Sequence, residues 1–268
     1  MKLFIIGLGW LGQRLAQTAI ERGFCVAGTK RKVNHRDTSG AEQYPFELYK
    51  ESVDLPLSAL QDSVIVLNIA AGRTSVEPLL YFAKIKALVD YVMSAGAKHL
   101  IFISSTSVFA GHQGRVLNSH QYKTTTPSGH AHELIETYLL SNYADKANIL
   151  RLAGLVGVTR HPVYTLAKRP MLSAPKQAVN LIHQDDVVSA ILRQCENLMP
   201  GTALNLCSNE HPSRQDYYQW CAKKLGLNEL VFAPAEQNES TRIIDATESW
   251  QALGIQAKYP SPYDMLPD

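Results

Sequence analysis

No stretch of the 268 residues approaches the roughly 20 consecutive apolar positions that a membrane-spanning helix needs. Charge of one sign is lacking too: 26 Lys and Arg against 24 Asp and Glu leave a net +2, too little to draw the chain to a nucleic-acid backbone. The four cysteines, Cys25, Cys195, Cys207 and Cys221, contain no C-x-x-C pair. They read as small buried apolar residues in a reducing compartment, not as a disulfide framework or a metal site. Repeats and low-complexity blocks are missing as well. Membrane, nucleic acid and metal are therefore not expected, and the expected location is the cytoplasm. With 46% hydrophobic and 19% charged residues, the chain has the composition of a globular protein that buries one large core, or a core plus a small lobe.

What is present begins at the first residues, "MKLFIIGLGWLGQRLA". An apolar run near an amino terminus reads either as an export signal or as the first strand of a nucleotide site. A signal has no use for glycines at fixed intervals. Gly7, Gly9 and Gly12 are spaced G-x-G-x-x-G directly after the strand-like Lys2 to Ile6, and Leu15, Ala16, Ala19 and Ile20 then recur at helical spacing up to Gly23. Strand, glycine turn and helix are the context that a dinucleotide fingerprint requires. Gly7 permits the tight turn, Gly9 lets the backbone approach a pyrophosphate, and Gly12 lets helix pack on strand. Gly7, Gly9, Trp10, Leu11 and Gly12 are the expected pyrophosphate-binding residues, with unpaired N–H groups at the helix start.

Strand-like runs recur at Lys2 to Ile6, Phe24 to Thr29, Ser63 to Ile69, His99 to Ser104 and Asn148 to Leu152, separated mostly by helical patterns. The clearest helix covers about Val76 to Ala95, with Thr74 and Glu77 spaced as a capping box and Gly96 placed to end it. This alternation predicts an α/β fold, a Rossmann-type doubly wound parallel sheet with a small C-terminal substrate lobe. The expected boundaries are a core over 1–155, completed by about 178–200, and a lobe formed by 156–177 and 201–268. Within those last segments "NLIHQDDVVSAIL" reads as strand then helix, "ALNLCS" as a strand, and Ser213 to Leu225 as a helix.

A ribose with a free 2′-hydroxyl calls for an acidic residue at the end of the second strand. This strand ends "VAGTKRK", so Thr29, Lys30 and Arg31 stand where that carboxylate would be. Donors and positive charge favour the 2′-phosphate of NADP over NAD. The alternative is a solvated basic turn.

With "GLGWLG", "NIAAG", "FISSTSVFAG", "NILRLAGLVG" and "NLIHQDD" in this order, the chain resembles the extended and atypical short-chain dehydrogenases/reductases, which include nucleotide-sugar epimerases and dehydratases. Within that group it most resembles the atypical YeeZ-like branch. The resemblance runs over nearly the whole length. It implies that Ala70, Ala71, Gly72 and Ser104 lie along the cofactor, that Leu155 flanks its nicotinamide end, and that Ser105 is the active-site serine. Hydroxyls at a strand end can equally satisfy the backbone.

The departures carry as much information. Counting back from Glu136 in "PSGHAHELIETYLL", the family's tyrosine and lysine positions are occupied by Ser128 and His132. A serine is a poor general acid, and Ser128 fits a helix start beside Thr126 as cap and Pro127. His132 is a candidate acid or base, or else a surface histidine. Tyr164 and Lys168 in "YTLAK" repeat the Y-x-x-x-K spacing by coincidence. "HELIE" lacks the second histidine of a zinc motif, and Asp185 and Asp186 read as helix caps.

Between Asp145 and Asp185 there is no acidic residue, while Lys146, Arg151, Arg160, Lys168, Arg169 and Lys176 carry +6, leaving −4 elsewhere. Focused positive charge suits an anionic ligand such as a nucleotide sugar; scattered solvated side chains are the other reading. The sequence thus predicts an NADP-preferring oxidoreductase of the epimerase/dehydratase type, acting on an anionic carbonyl or alcohol substrate with Ser105, His132 and Ser128. The competing prediction is a non-catalytic NADP-binding sensor or scaffold. Expected partners are that small molecule and a second copy of the chain.

Overall fold

The computed structural model describes residues 1–33, 39–72, 77–237 and 239–267. In chain order the elements are β1 (Lys2–Ile6), α1 (Trp10–Glu21), β2 (Cys25–Lys30), β3 (Glu42–Pro45), α2 (Leu57–Leu60), β4 (Val64–Leu67) and α3 (Pro78–Ser94). They continue with β5 (His99–Ser105), β6 (Gly114–Val116), α4 (Pro127–Asn142), β7 (Ala147–Leu152), β8 (Gly154–Val156), α5 (Val163–Leu166) and β9 (Leu181–His183). The last are α6 (Gln184–Glu196), β10 (Ala203–Leu206), α7 (Arg214–Lys224), β11 (Arg242–Ile244) and α8 (Thr247–Leu253).

Seven strands form one parallel sheet in the order β10-β7-β5-β4-β1-β2-β3. Leu3, Phe4, Ile5 and Ile6, like Val64 to Leu67, are buried to 1% exposure or less, so both strands read as continuous apolar runs. That is the pattern of a parallel sheet covered on both faces. The chain adds β2 and β3 on one side of β1, then returns to place β4 on the other. A topological switch point therefore lies at the carboxyl ends of β1 and β4, the position at which open α/β sheets bind ligands.

Helix boundaries follow local chemistry. The expected capping box of α3 involves Thr74, which lies outside the described residues; Glu77 itself is the cap, accepting from the Leu79 and Leu80 N–H groups before Pro78 at the first turn. Thr126 caps α4 by accepting from the Gly129 N–H at 3.0 Å, with Pro127 following. Asp186 is corrected from a cap to a clamp, because its carboxylate accepts from the Lys258 and Tyr259 N–H groups at 2.6 and 3.1 Å. Cys25 is exposed at the start of β2, not buried as composition suggested; Cys195, Cys207 and Cys221 are buried.

The chain divides into two compact units, one of 1–110, 122–151 and 188–204, the other of 111–121, 152–187 and 205–268. The first has a core of Phe4, Ile65, Phe102, Leu88, Ile135 and their neighbours between sheet and helices. The second packs Val156, Leu172, Leu181, Tyr217, Cys221 and Met265 around α7 and the β8–β9 pair, which is parallel with Gly154 opposite Leu181. It also contains the two-stranded β6–β11 sheet, whose strands of three residues are too short to show periodicity.

Candidate functional site

The three opening glycines have different reasons to be glycine. Gly7 has φ +108°, and a Cβ there would stand 2.5 Å from the Asn68 carbonyl oxygen at the end of β4. A Cβ on Gly12 would stand 2.3 Å from the Gly7 carbonyl oxygen. Both are dictated by packing. At Gly9 nothing lies within 4 Å of the added Cβ, so the protein itself does not demand glycine there. Gly9 is the N-cap of α1 without any side-chain cap, and no acidic residue sits in the first turn. A helix start with open space before it and no carboxylate suits a diphosphate. The residues present therefore fit a dinucleotide.

Thr29 is 2% exposed, and its hydroxyl accepts from the Gly7 N–H at 2.9 Å while its carbonyl accepts from the Leu8 N–H at 2.8 Å. Its task is to brace the turn from β2, one step away from the expected contact with a 2′-phosphate. Lys30 is half-buried and Arg31 exposed at the end of β2, the same end as the glycine turn. Ala70 and Gly72 are exposed beyond β4, Gly72 with φ +79°, and Tyr81 fixes this loop by donating to the Ile69 carbonyl at 2.7 Å. Leu155 belongs to the second unit, half-buried in β8.

The Ser104 hydroxyl has its partner on α4. It donates to Glu136 Oε1 on α4 at 2.5 Å, and Glu136 Oε2 takes Arg151 Nε and Nη2, both at 2.8 Å. Tyr122 completes the cluster beside Arg151, whose guanidinium lies 4.9 Å from the Phe109 ring centre and 5.5 Å from that of Tyr122. Glu136 is fully buried and Arg151 is 3% exposed. Burial pushes the Glu136 carboxyl upward, and Arg151, Ser104 and Tyr122 pull it back. Burial and the Glu136 charge raise the Tyr122 phenol to about 12, well outside the range of an acid useful at neutral pH. Arg151 thus leaves the basic stretch expected on the substrate side. Of the remaining five, Lys146 lies in the first unit and Arg160, Lys168, Arg169 and Lys176 are exposed in the second.

Beside this cluster, β5 runs into a 3-10 turn at Thr106–Phe109 that packs on the start of α4. Ser105 caps the turn, its Oγ accepting from the Ser107 N–H at 3.1 Å, which leaves its own O–H to donate. Ser128 is half-buried in the first turn of α4. His132 is corrected from a surface residue to a buried one, 6% exposed, with its ring 5.7 Å from that of Phe102. His132 Nδ1 and the hydroxyl of Ser107, a residue the sequence did not single out, are buried without a hydrogen-bond partner. Gly129 joins the two elements, because a Cβ there would meet the Ser107 carbonyl oxygen at 2.7 Å. Among the described residues no group of three or more His, Cys, Asp or Glu is arranged to hold a metal ion.

Burial lowers the His132 pKa to about 4, so the ring is neutral at physiological pH. In the unfolded chain it titrates near 6.5, so below that value the unfolded state binds the extra proton. The stability due to neutral His132 is complete above about pH 6.5 and is lost as pH falls towards 4. At about pH 5 the loss is ~2 kcal/mol relative to neutral pH, and His161, buried and lowered to about 4 in the second unit, adds a similar amount. Urea titrations at the two pH values check this. His132→Phe removes its share of the drop, and an undiminished drop would take His132 out of the account.

The arrangement defines a class first: an α/β protein with a glycine turn at the switch point of a parallel sheet and a serine turn at the end of a neighbouring strand. No protein-family model matches the chain. It is 34% identical over 272 residues to protein YeeZ of Escherichia coli K12, covering 98% of each, and it belongs to that family. Its fold is shared with UDP-glucuronic acid 4-epimerase from Bacillus cereus in complex with NAD, at TM-score 0.79 and 18% identity over 99% of this chain and 96% of that one. MoeE5 in complex with UDP-glucose and NAD matches at TM-score 0.78 and 18% identity, over 98% and 96%.

Proposed function

We propose that the protein is an NADP-dependent oxidoreductase of the epimerase/dehydratase type, acting on an anionic, nucleotide-sugar-like substrate at a carbonyl or alcohol carbon. The observation that carries it is Gly9, a glycine that no neighbouring atom requires, at an uncapped helix start. The backbone of Gly7, Gly9, Trp10, Leu11 and Gly12 holds the diphosphate, Lys30 and Arg31 take the 2′-phosphate, and Ala70, Ala71, Gly72 and Leu155 line the rest. Bound nicotinamide supplies hydride exchange. Ser105 donates its hydroxyl proton to the substrate oxygen, and neutral His132 with Ser107 orients that end of the site. UDP sugars accompany NAD in the MoeE5 complex, which supports the substrate class. The protein works in the cytoplasm and as a homodimer, a state that sedimentation checks.

Loss of a general acid typically costs 10² to 10⁴-fold, so turnover is slow by the standard of enzymes with a tyrosine at the Ser128 position. A second reading, a sensor or scaffold that binds NADP without chemistry, is favoured by Tyr122, the tyrosine of this region, whose phenol is directed into the Glu136 cluster. Screening UDP sugars and small carbonyl compounds against NADPH absorbance separates the two. Turnover lost in Ser105→Ala with cofactor binding intact supports the enzyme, and no turnover supports the sensor. In calorimetry NADPH binds at least about 10-fold tighter than NADH, since charged hydrogen bonds contribute on the order of 1.5–3 kcal/mol each. Replacing Lys30 and Arg31 by alanine abolishes the preference; equal affinities in the unaltered protein would refute NADP selectivity.

A further inference from the structure

We infer that the backbone N–H groups of Lys176 and Gln177 form an oxoanion site in the second unit, for a phosphate or carboxylate group, and that Glu239 fills it from within as a built-in competitor. Glu239 Oε1 accepts from both N–H groups, at 2.9 and 3.0 Å. The next N–H along, that of Ala178, donates to Thr241 Oγ1 at 2.7 Å, which leaves the threonine O–H to donate in turn. Three successive amides therefore meet side-chain oxygens of one short segment. Successive backbone N–H groups that converge in this way bind anions.

Glu239 is an incomplete occupant. One of its oxygens takes both donors, and the other, Oε2, is buried without a partner. A carboxylate kept only to hold a loop would have its second oxygen in water or on a donor, because a buried acceptor left open costs stability. Arg242, three residues on, and Arg214, whose N–H donates to the Gln177 carbonyl at 2.8 Å, each keep a buried guanidinium nitrogen without a partner. Neither closes an ion pair on Oε2, so Glu239 is held by the two amides and not by a counterion.

The surroundings favour an incoming anion. Lys176 carries its ammonium on the very residue whose N–H is in the site, and it is exposed, like Arg160, Lys168 and Arg169, in a stretch without an acidic residue. Asp245, the carboxylate that follows β11, is taken up by Arg115 Nε at 2.5 Å and by the Thr247 N–H at 2.8 Å.

An external oxoanion can do what Glu239 does not. Its several oxygens can take the two N–H groups and the Thr241 O–H separately, and the Lys176 ammonium can close on it. Glu239 is tethered beside the site, so only molecules in which its side chain has swung out accept the ligand, and the apparent affinity falls by that fraction. The second unit thus carries its own inhibitor. That the anion belongs to a substrate rests on the proposed function; the site itself rests on the second unit alone.

The test follows the backbone amide signals of Lys176 and Gln177 in 15N NMR while inorganic phosphate or acetate is added at constant ionic strength, with chloride as the control. Glu239→Gln removes the competing charge, so one or both probes should move those signals at a concentration about 10-fold lower than in the unaltered protein, and chloride should not. The tighter probe identifies the anion. Glu239→Asp, one methylene shorter, is expected to change binding in the same direction and takes the place of Glu239→Gln if that variant does not fold. Lys176→Met keeps the N–H group and removes the ammonium, so shifts that persist in it locate the anion on the backbone. Equal affinity with and without the Glu239 charge, or no shift with either probe, would mean that Glu239 only holds the loop; shifts lost in Lys176→Met would mean that anions meet only a surface lysine. A parallel NADPH titration reads the glycine turn of the first unit, so failure of the cofactor reading and failure of this site are separately visible.

Discussion

Replacing Gly9 with alanine leaves the fold intact and weakens NADPH binding by about 100-fold, equivalent to ~2.7 kcal/mol. The new methyl group enters space that the protein leaves open, so nothing in the chain has to move. It occupies the approach that the diphosphate needs to reach the helix N–H groups. Gly12→Ala is the contrasting case. Its methyl would stand 2.3 Å from the Gly7 carbonyl oxygen, a backbone atom that cannot swing away, and 3.3 Å from the Ile5 side chain. Such overpacking costs about 1–3 kcal/mol, so Gly12→Ala lowers stability first and binding with it. Circular dichroism melts and NADPH calorimetry on the two variants distinguish a ligand-imposed glycine from a packing-imposed one. Native affinity in Gly9→Ala would remove the diphosphate from that corner.

The largest stability effect is expected at Glu136. Removing one partner of a buried ion pair costs about 3–5 kcal/mol, because the other charge is left without a counterion in a medium that solvates it poorly. In Glu136→Leu that charge is the Arg151 guanidinium, 3% exposed and bound to Glu136 through two nitrogens at 2.8 Å. Ser104 loses its acceptor at the same time. The midpoint of thermal unfolding should fall by roughly 10 °C. Adding Arg151→Met removes the stranded charge and should recover more than half of the loss, as apolar replacements of whole buried pairs do. A double variant as unstable as Glu136→Leu alone would show that the cluster acts through packing and not through charge.

Several parts of this protein were legible along the chain. The first unit's strands are runs of Leu, Ile, Val and Phe that only a sheet covered on both faces would bury, and β1, β5 and β7 lie within a residue or so of where those runs place them. The glycine spacing was readable as a pattern, although only Gly7 and Gly12 answer a steric demand of the chain itself and Gly9 does not. β3, β6 and β11 were not: at three or four residues, with exposed positions in β3 and β6 and half-buried ones in β11, they lack a period to detect. The reading of Glu136 as a mere marker for counting back to a lysine position missed its partners, which come from β5, β7 and the segment before α4. The burial of His132 was hidden for the same reason, since the helix carries His130 and His132 two residues apart and only packing decides that one is exposed and the other enclosed.

By itself the chain's order of residues determined the central strands and the glycine turn at the switch point, because apolar runs and glycine spacing are written along the chain, although the atom that Gly7 must avoid comes from Asn68 after β4. Only the tertiary structure decided which polar groups are spent on the fold and which are left over. Ser104, Thr29, Arg151 and Asp186 are spent; Ser107, His132, Asn205 and Arg242 each keep a buried polar atom without a partner. Hydrogen-bond satisfaction is settled between segments far apart in sequence, and no local pattern records it.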